Sequence, residues 1–143
     1  MNYIRKFLLI FIFTIVIDQI IKYIFVNGFS YDTKCISFVL TYNKGVAFSM
    51  FSFLGVYLKY LQIVLIIGVV FYLIKNKNLL KEHFLEAGLI LGGGISNIAD
   101  RFFREGVVDY VYWHCGFDFA IFNFADVMID IGVFLILIKS FKK

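Results

Sequence analysis

The sequence predicts an all-α membrane protein: a four-transmembrane-helix bundle with a small extracytoplasmic β element. Of its 143 residues, 62% are hydrophobic and only 17% are charged, which leaves too little polar surface to cover a soluble globule of this size. Proline is absent, as suits uninterrupted helices. A bilayer is therefore the expected solvent for most of the chain.

Four apolar stretches are each close to the ~20 residues that a helix needs to cross a bilayer. They cover residues 7–26, 54–74, 84–103 and 121–138. The first stretch resembles a signal peptide, because basic residues precede it, but it shows no small-residue cleavage site and polar residues interrupt it. We expect it to be a retained helix, and we expect residues 1–143 to form a single integral membrane domain.

Lysine and arginine predict the orientation of the chain. Basic residues lie before the first stretch, between the second and third, and after the fourth: Arg5, Lys6, Lys75, Lys77, Lys81, Lys139, Lys142 and Lys143. By the positive-inside rule, both termini are then cytoplasmic. The connections 27–53 and 104–120 face outward and carry no basic excess.

The first outward segment contains a candidate strand. Residues 36–42 alternate with a period of two, which is typical of a half-exposed strand. In the second outward segment, Tyr110, Tyr112 and Trp113 fit an interfacial aromatic belt.

The cysteines and histidines predict neither a crosslink nor a metal site. Cys35 and Cys115 both face outward, so the topology allows a disulfide, but two cysteines without further spacing information favour unpaired thiols. His83 and His114 are predicted at opposite membrane faces and cannot share a metal ion. We expect no metal and no cofactor.

Polar residues within the apolar stretches form three clusters, and spacings of three or four place each cluster on one helix face. The clusters are Asp18 with Lys22; Asn97, Asp100 and Arg101; and Asn123, Asp126 and Asp130. Because the stretches alternate in direction, all three clusters arrive at the outer side of the membrane. Independent helix-stabilising pairs would have no reason to agree in this way, so the convergence favours a functional site.

The role of individual members differs. For Asp18 and Lys22, a pair that holds helices together and a substrate-facing role are equally open. Asp100 and Arg101 are sequence neighbours that do not face each other, which favours a supporting network. Asp130 lies a full turn deeper than the rest of its cluster, and we interpret it as structural.

Small residues recur every four positions in the third stretch, at Gly88, Gly92 and Ser96. This spacing favours close helix packing. A phosphate-binding loop would need a preceding strand and a helix start, whereas this run lies inside an apolar helix.

Asp109 can reach the depth of Asp126 if Val107 and Val108 dip into the interface. Two carboxylates a few ångströms apart in a low dielectric cannot both ionise easily, so one keeps a proton and the other acts as a base. Such a pair can activate a water against a peptide carbonyl without a metal or a nucleophilic side chain. The residues therefore predict an aspartic peptidase.

Five ordered motifs extend over nearly the whole chain. They are Asp18-Gln19 with Lys22; Asn43 with Gly45, Ala47, Phe48 and Ser49; the Gly-rich run with Asn97, Asp100 and Arg101; Val108-Asp109; and Phe122-Asn123 with Ala125-Asp126 and Gly132. Together they resemble the lipoprotein signal peptidases, also called signal peptidase II.

The resemblance implies that Asp109 and Asp126 are the catalytic dyad. It implies that the following residues support them or bind substrate: Asp18, Lys22, Asn43, Gly45, Asn97, Asp100, Arg101 and Asn123. The implied activity removes signal peptides from bacterial prolipoproteins by cleaving before the cysteine that carries diacylglycerol. We accordingly expect prolipoproteins and membrane lipids as partners, no nucleic acid, and a monomer in the cytoplasmic (inner) membrane with its active site towards the extracytoplasmic face.

Three positions depart from the family pattern: Ile21, where a hydroxyl residue is common, Val46, where alanine is common, and Ser96, where glycine is common. None removes a carboxylate, so we expect them to affect substrate preference more than activity.

Two other functions fit the composition. One is a proton- or ion-coupled transporter with a relay through Asp18, Lys22, Asp126 and Asp130. The ionisable residues crowd the outer half of the bilayer, however, and this leaves the relay incomplete. A structural subunit held together by polar contacts does not explain why the three clusters converge.

Overall fold

The computed structural model describes residues 2–45 and 50–141, and Val46 lies outside them. In chain order, the elements are helix α1 (Tyr3–Val26), strands β1 (Tyr31–Asp32) and β2 (Ile36–Asn43), a short 3-10 turn (Ser52–Leu54), helices α2 (Tyr57–Lys75), α3 (Lys77–Glu82) and α4 (Phe84–Phe103), strand β3 (Val107–Trp113) and helix α5 (Phe124–Phe141). The chain is thus mostly helical with one small sheet.

The four long helices coincide with the four apolar stretches of the sequence. Helix α4 has the predicted bounds, whereas α1 begins four residues earlier and α2 and α5 each begin three residues later than predicted. Helices α1 and α2 are long and apolar enough, by length and composition, to cross a membrane. The short helix α3 was not predicted.

Helix α4 packs against α1 on one side and against α5 on the other, and its glycines set both distances. A Cβ atom on Gly88 would lie 2.9 Å from Cγ2 of Ile10 in α1. A Cβ atom on Gly93 would lie 2.6 Å from the carbonyl oxygen of Ala125 in α5. The small-residue run therefore serves helix packing, as the sequence predicts.

The three strands form an antiparallel sheet in the order β1-β2-β3. We call the end of the helix bundle where α1 ends and α5 begins the sheet end. The predicted strand at 36–42 is confirmed, but its predicted alternation is not, because Ser37 is buried and Leu40 is exposed. The pairing of β2 with β3 shifts register between Phe38 and Thr41, which interrupts the regular alternation.

Cys35 and Cys115 form a disulfide, so the expectation of unpaired thiols was wrong. The register of the sheet explains the pairing, because Ile36 lies opposite Trp113 and the backbone N–H of His114 donates to the carbonyl of Cys35 at 2.9 Å. Only the cross-strand register brings together two residues that are 80 positions apart.

An apolar cluster fixes β3 against the helices at the sheet end. Its buried members are Phe25, Val108 and Tyr110, and the rings of Phe25 and Tyr110 stack with centroids 4.2 Å apart. The backbone N–H of Phe124 donates to the Tyr110 hydroxyl at 2.9 Å. Tyr110 is therefore a core residue and not part of an interfacial aromatic belt. Since Val108 and Tyr110 point towards one face of β3, Asp109 points to the other.

Candidate active site

Asp109 is buried on β3, with hydrogen bonds to both carboxylate oxygens. Its Oδ1 accepts from Nδ2 of Asn123 at 2.7 Å, and its Oδ2 accepts from Nδ2 of Asn43 at 3.0 Å. Burial raises the pKa of Asp109 to about 6, and the negative charge of Asp126 adds to this effect. The strand and two asparagines therefore hold this carboxyl group where it keeps its proton more readily than an exposed aspartate does.

Asp126 lies in the first turn of α5 and takes part in a reciprocal capping box. The Asn123 side-chain oxygen accepts from the Asp126 backbone N–H at 2.9 Å, and Asp126 Oδ2 accepts from the Asn123 backbone N–H at 3.1 Å. The other carboxylate oxygen accepts from Nδ2 of Asn97 at 2.8 Å. These bonds fix the carboxylate at the positive end of the helix dipole.

Asn123 joins the two aspartates. Besides capping α5, its Nδ2 donates to Asp109 and also to Oδ1 of Asn97 at 3.1 Å. A single buried amide thus connects β3, α4 and α5. The structure brings Asp109 and Asp126 into one site, as the sequence predicts.

Both aspartates line one cavity of about 410 Å³, here called the dyad cavity. Its lining residues come from five elements and from the segment before α5: Asn43, Gln62, Asn97, Arg101, Val107, Asp109, Phe119, Ala120, Ile121, Phe122, Asp126, Ile129 and Asp130. Polar groups cluster beside the two carboxyl groups, and apolar side chains surround the rest. The cavity has room for a peptide segment together with a water molecule.

A buried ionic network supports the site from the α1 side. Nζ of Lys22 lies 2.6 Å from Asp18 Oδ2, 2.7 Å from Asp100 Oδ2 and 2.8 Å from Oδ1 of Asn97. Asp100 also pairs with Arg104 one turn further along α4. Two cations therefore compensate two carboxylates, as full burial of such charges requires.

This network also holds the backbone next to each aspartate of the dyad. Asp18 Oδ1 accepts from the backbone N–H of Ala125 at 2.9 Å, and Asp100 Oδ2 accepts from the backbone N–H of Val108 at 3.1 Å. Ala125 directly precedes Asp126, and Val108 directly precedes Asp109. Of the two roles left open for Asp18 and Lys22, the contacts fit the one that holds elements together.

Three further polar residues belong to this network, although the sequence predicted no such role for them. Ser96 Oγ donates to Asp18 Oδ2 at 2.6 Å and accepts from Nε2 of Gln19 at 2.9 Å. The side-chain oxygen Oε1 of Gln19 accepts from the Arg104 guanidinium at 3.0 Å. Ser96 therefore adds a hydrogen bond at a position where glycine could make none. The four-residue spacing of Asp100 and Arg104 was a usable signal for their pairing.

Arg101 anchors the end of β2 to α4. Its guanidinium donates to the carbonyl of Gly45 and, at 3.4 Å, to the carbonyl of Asn43. The Asn43 side-chain oxygen accepts from the Gly45 backbone N–H at 2.9 Å, which tightens this turn. The turn lies beside the dyad cavity and leads into residues 46–49, which the structure does not describe.

Known proteins resemble this chain over most of its length. A family model described as signal peptidase (SPase) II matches residues 10–142. A lipoprotein signal peptidase of Helicobacter pylori is 54% identical over 141 residues, which is 96% of this chain and 90% of that protein. A second, from Sulfurimonas denitrificans, is 58% identical over 127 residues, covering 89% of this chain and 82% of that protein.

A solved structure has the same fold. A bacterial membrane enzyme determined by the in meso method at 2.3 Å resolution superposes with a TM-score of 0.83 at 29% identity, covering 99% of this chain and 90% of that one. The family match over most of the chain and the high identity to the curated relatives agree. The chain therefore belongs to the signal peptidase II family.

Proposed function

We propose that this protein is an aspartic endopeptidase of the bacterial cytoplasmic membrane. It removes signal peptides from prolipoproteins by cleaving before the cysteine that carries diacylglycerol. Family membership and the two curated lipoprotein signal peptidases support the substrate class. The observation that supports an aspartic peptidase is that Asp109 and Asp126 line one cavity and that Asn123 hydrogen-bonds to both of them.

In the proposed reaction, the two carboxyl groups share one proton and act as a pair. The charged member removes a proton from a water molecule, whose oxygen forms a bond to the carbonyl carbon of the scissile peptide. The protonated member donates a hydrogen bond to the carbonyl oxygen and then delivers its proton to the leaving nitrogen as the C–N bond breaks. Asn43, Asn97 and Asn123 hold the carboxyl groups in position throughout.

We further propose that α1, α2, α4 and α5 all cross the membrane, with both termini in the cytoplasm and the sheet end outside. The Cys35–Cys115 disulfide at the sheet end suits an oxidising compartment. At the opposite end, Lys139 lies 2.6 Å from Glu86 among the basic residues that favour the cytoplasm. We also propose that residues 1–143 form one domain, which works as a monomer in contact with lipid.

The test of the catalytic type is cleavage of a diacylglyceryl-modified precursor by purified protein in detergent. We expect Asp109→Asn and Asp126→Asn each to lower turnover by roughly 10²- to 10⁴-fold, because each removes a group that must gain or lose the transferred proton. Asp32→Asn, on the exposed strand β1, is the matched control and should keep full turnover. Full turnover by either dyad variant would contradict the assignment.

A further inference from the structure

Two polar side chains in the dyad cavity lie deeper in the helix bundle than the dyad itself. Gln62 projects from α2, and Asp130 projects from α5 four residues beyond Asp126, about 6 Å further along the helix axis. The network that supports the dyad uses neither residue.

Both side chains carry hydrogen-bond acceptors without a donor. Oε1 of Gln62 is buried and has no hydrogen-bond partner among the described residues. Asp130 is exposed and makes no hydrogen bond or ion pair with any residue among 2–45 and 50–141. The carboxylate of Asp126, one turn away, by contrast accepts two hydrogen bonds. A buried acceptor without a donor, such as Oε1 of Gln62, is costly. The exposed carboxylate of Asp130 can accept from a group that enters the cavity.

The substrate of the proposed reaction supplies the missing donors. A peptide bond inside a helix is protected, so the signal peptide must unwind near the scissile bond before the dyad can reach it. Unwinding frees backbone N–H and C=O groups on the side of the signal peptide that remains in the membrane, where no water can pair them. The freed N–H groups then need acceptors in the cavity, deeper than the dyad.

We propose that Gln62 and Asp130 form an acceptor subsite for the backbone N–H groups of the unwound signal-peptide residues that precede the cleavage point. The two residues approach the dyad cavity from different helices, α2 and α5. They accept hydrogen bonds from the main chain, so the subsite binds an extended segment without reading its side chains. This inference rests on the proposed function.

The experiment replaces single backbone amides of a synthetic diacylglyceryl peptide by esters, at each of the four residues before the modified cysteine. An ester lacks the N–H donor but keeps the shape of the chain. For the unsubstituted enzyme, we expect the KM to rise roughly three- to tenfold at one or two positions, with kcat nearly unchanged, because one net hydrogen bond is lost. The Gln62→Met and Asp130→Leu variants, which lack the acceptor, should each abolish the penalty at one position.

Conservative variants separate hydrogen bonding from packing. Gln62→Glu and Asp130→Asn keep an acceptor oxygen and should keep the ester penalty. Leu61→Met, on the exposed face of the same helix, is the matched control for Gln62→Met and should also keep it. If Gln62→Met does not fold, the same comparison remains available with Asp130→Leu.

Two outcomes overturn the subsite: an ester scan with no penalty at any position, or a penalty that is the same in the acceptor-free variants. Failure of the unsubstituted enzyme to cleave the all-amide peptide would instead overturn the proposed function together with the subsite. Normal cleavage of that peptide with a flat ester scan removes the subsite alone.

Discussion

Asp109 combines two features that oppose each other. The residue is 2% exposed, and burial together with the charge of Asp126 disfavours the ionised form of its carboxyl group. The amides of Asn43 and Asn123 donate to its two oxygens and partly offset this cost. The balance of these effects leaves the pKa of Asp109 at about 6. Such a value suits the proposed reaction, in which a carboxyl group must both hold and release a proton near neutral pH.

The raised pKa of Asp109 predicts how stability changes with pH. The pKa is about 6 in the folded chain against 3.8 for an unperturbed aspartate, so the folded chain binds the extra proton between these values. The stability that this proton contributes is therefore fully present below pH 3.8 and is lost as the pH rises through 6. The free energy of unfolding should fall by about 3 kcal/mol in total over this range. Thermal unfolding in detergent should show wild type losing stability relative to Asp109→Asn over this window.

The matched control for this measurement is Asp32→Asn, which removes a carboxyl group from the exposed strand β1. Its stability relative to wild type should stay constant over the same pH range. A constant difference between wild type and Asp109→Asn would show that this carboxyl group is not perturbed in the folded protein.

At the scale of single residues, the polar clusters could be predicted from the sequence, because charged side chains inside an apolar stretch are costly and are usually functional. It did not predict that Lys22 bonds two aspartates at once, or that Ser96 donates to Asp18. Those contacts depend on the rotation of α1 relative to α4, which helical spacing does not determine. Val46, another of the three departures from the family pattern, lies outside the described residues.

At the scale of elements, the position of Asp126 depends on two features of α5. The capping box with Asn123 fixes where the helix begins, three residues later than the apolar pattern predicts. Close packing on α4 fixes its distance, and this requires glycine at position 93, where a Cβ atom would lie 2.6 Å from the carbonyl oxygen of Ala125. Packing and capping together bring Asp126 within 2.8 Å of Asn97.

We therefore predict that Gly93→Ala pushes α5 away from α4. The added methyl group has no space against backbone, so the variant should lose about 1–3 kcal/mol of stability. Because the proposed reaction needs Asp126 in position, its displacement should also lower kcat by roughly tenfold or more. Thermal unfolding in detergent and turnover of the diacylglyceryl peptide measure the two effects.

Gly68→Ala is the control for this substitution. Gly68 lies in α2, and no atom of a neighbouring element in the described part of the chain lies within 4 Å of an added Cβ atom. Alanine there should therefore stabilise the helix by about 0.5–1 kcal/mol and leave turnover unchanged. Equal behaviour of the two variants would show that the distance between α4 and α5 does not position the dyad.

The sequence predicted elements well where one pattern acts alone. Helix α4 has the predicted bounds because polar residues flank it on both sides, His83 before it and Arg104 after it. Strand β2 was predicted, but the predicted alternation of its buried and exposed side chains was wrong. The register shift after Phe38 interrupts that alternation, and it depends on the pairing with β3. The Cys35–Cys115 disulfide was missed for the same reason, since it depends on cross-strand register between residues far apart in the chain.

At the scale of the whole molecule, the two ends of the bundle differ in chemistry. The sheet end carries the dyad, its supporting network and the disulfide. The opposite end carries a smaller ionic cluster, in which fully buried Glu86 faces Lys139 and His83. The convergence of polar residues at the sheet end was predictable, because alternating helix directions place all three clusters there. The cluster around Glu86 was not predicted, because Lys139 lies on α5, far along the chain from His83 and Glu86.

This polarity predicts the orientation of the chain in the membrane. Both native cysteines are in the disulfide, so a single introduced cysteine is the only free thiol. Glu105→Cys places it on the exposed connection between α4 and β3, and Asn76→Cys places it between α2 and α3. In spheroplasts, a membrane-impermeant maleimide should label Glu105→Cys at once and Asn76→Cys only after lysis, because the proposed orientation places the sheet end outside. The reverse pattern would turn the dyad cavity towards the cytoplasm, where the proposed exported precursor would not meet it.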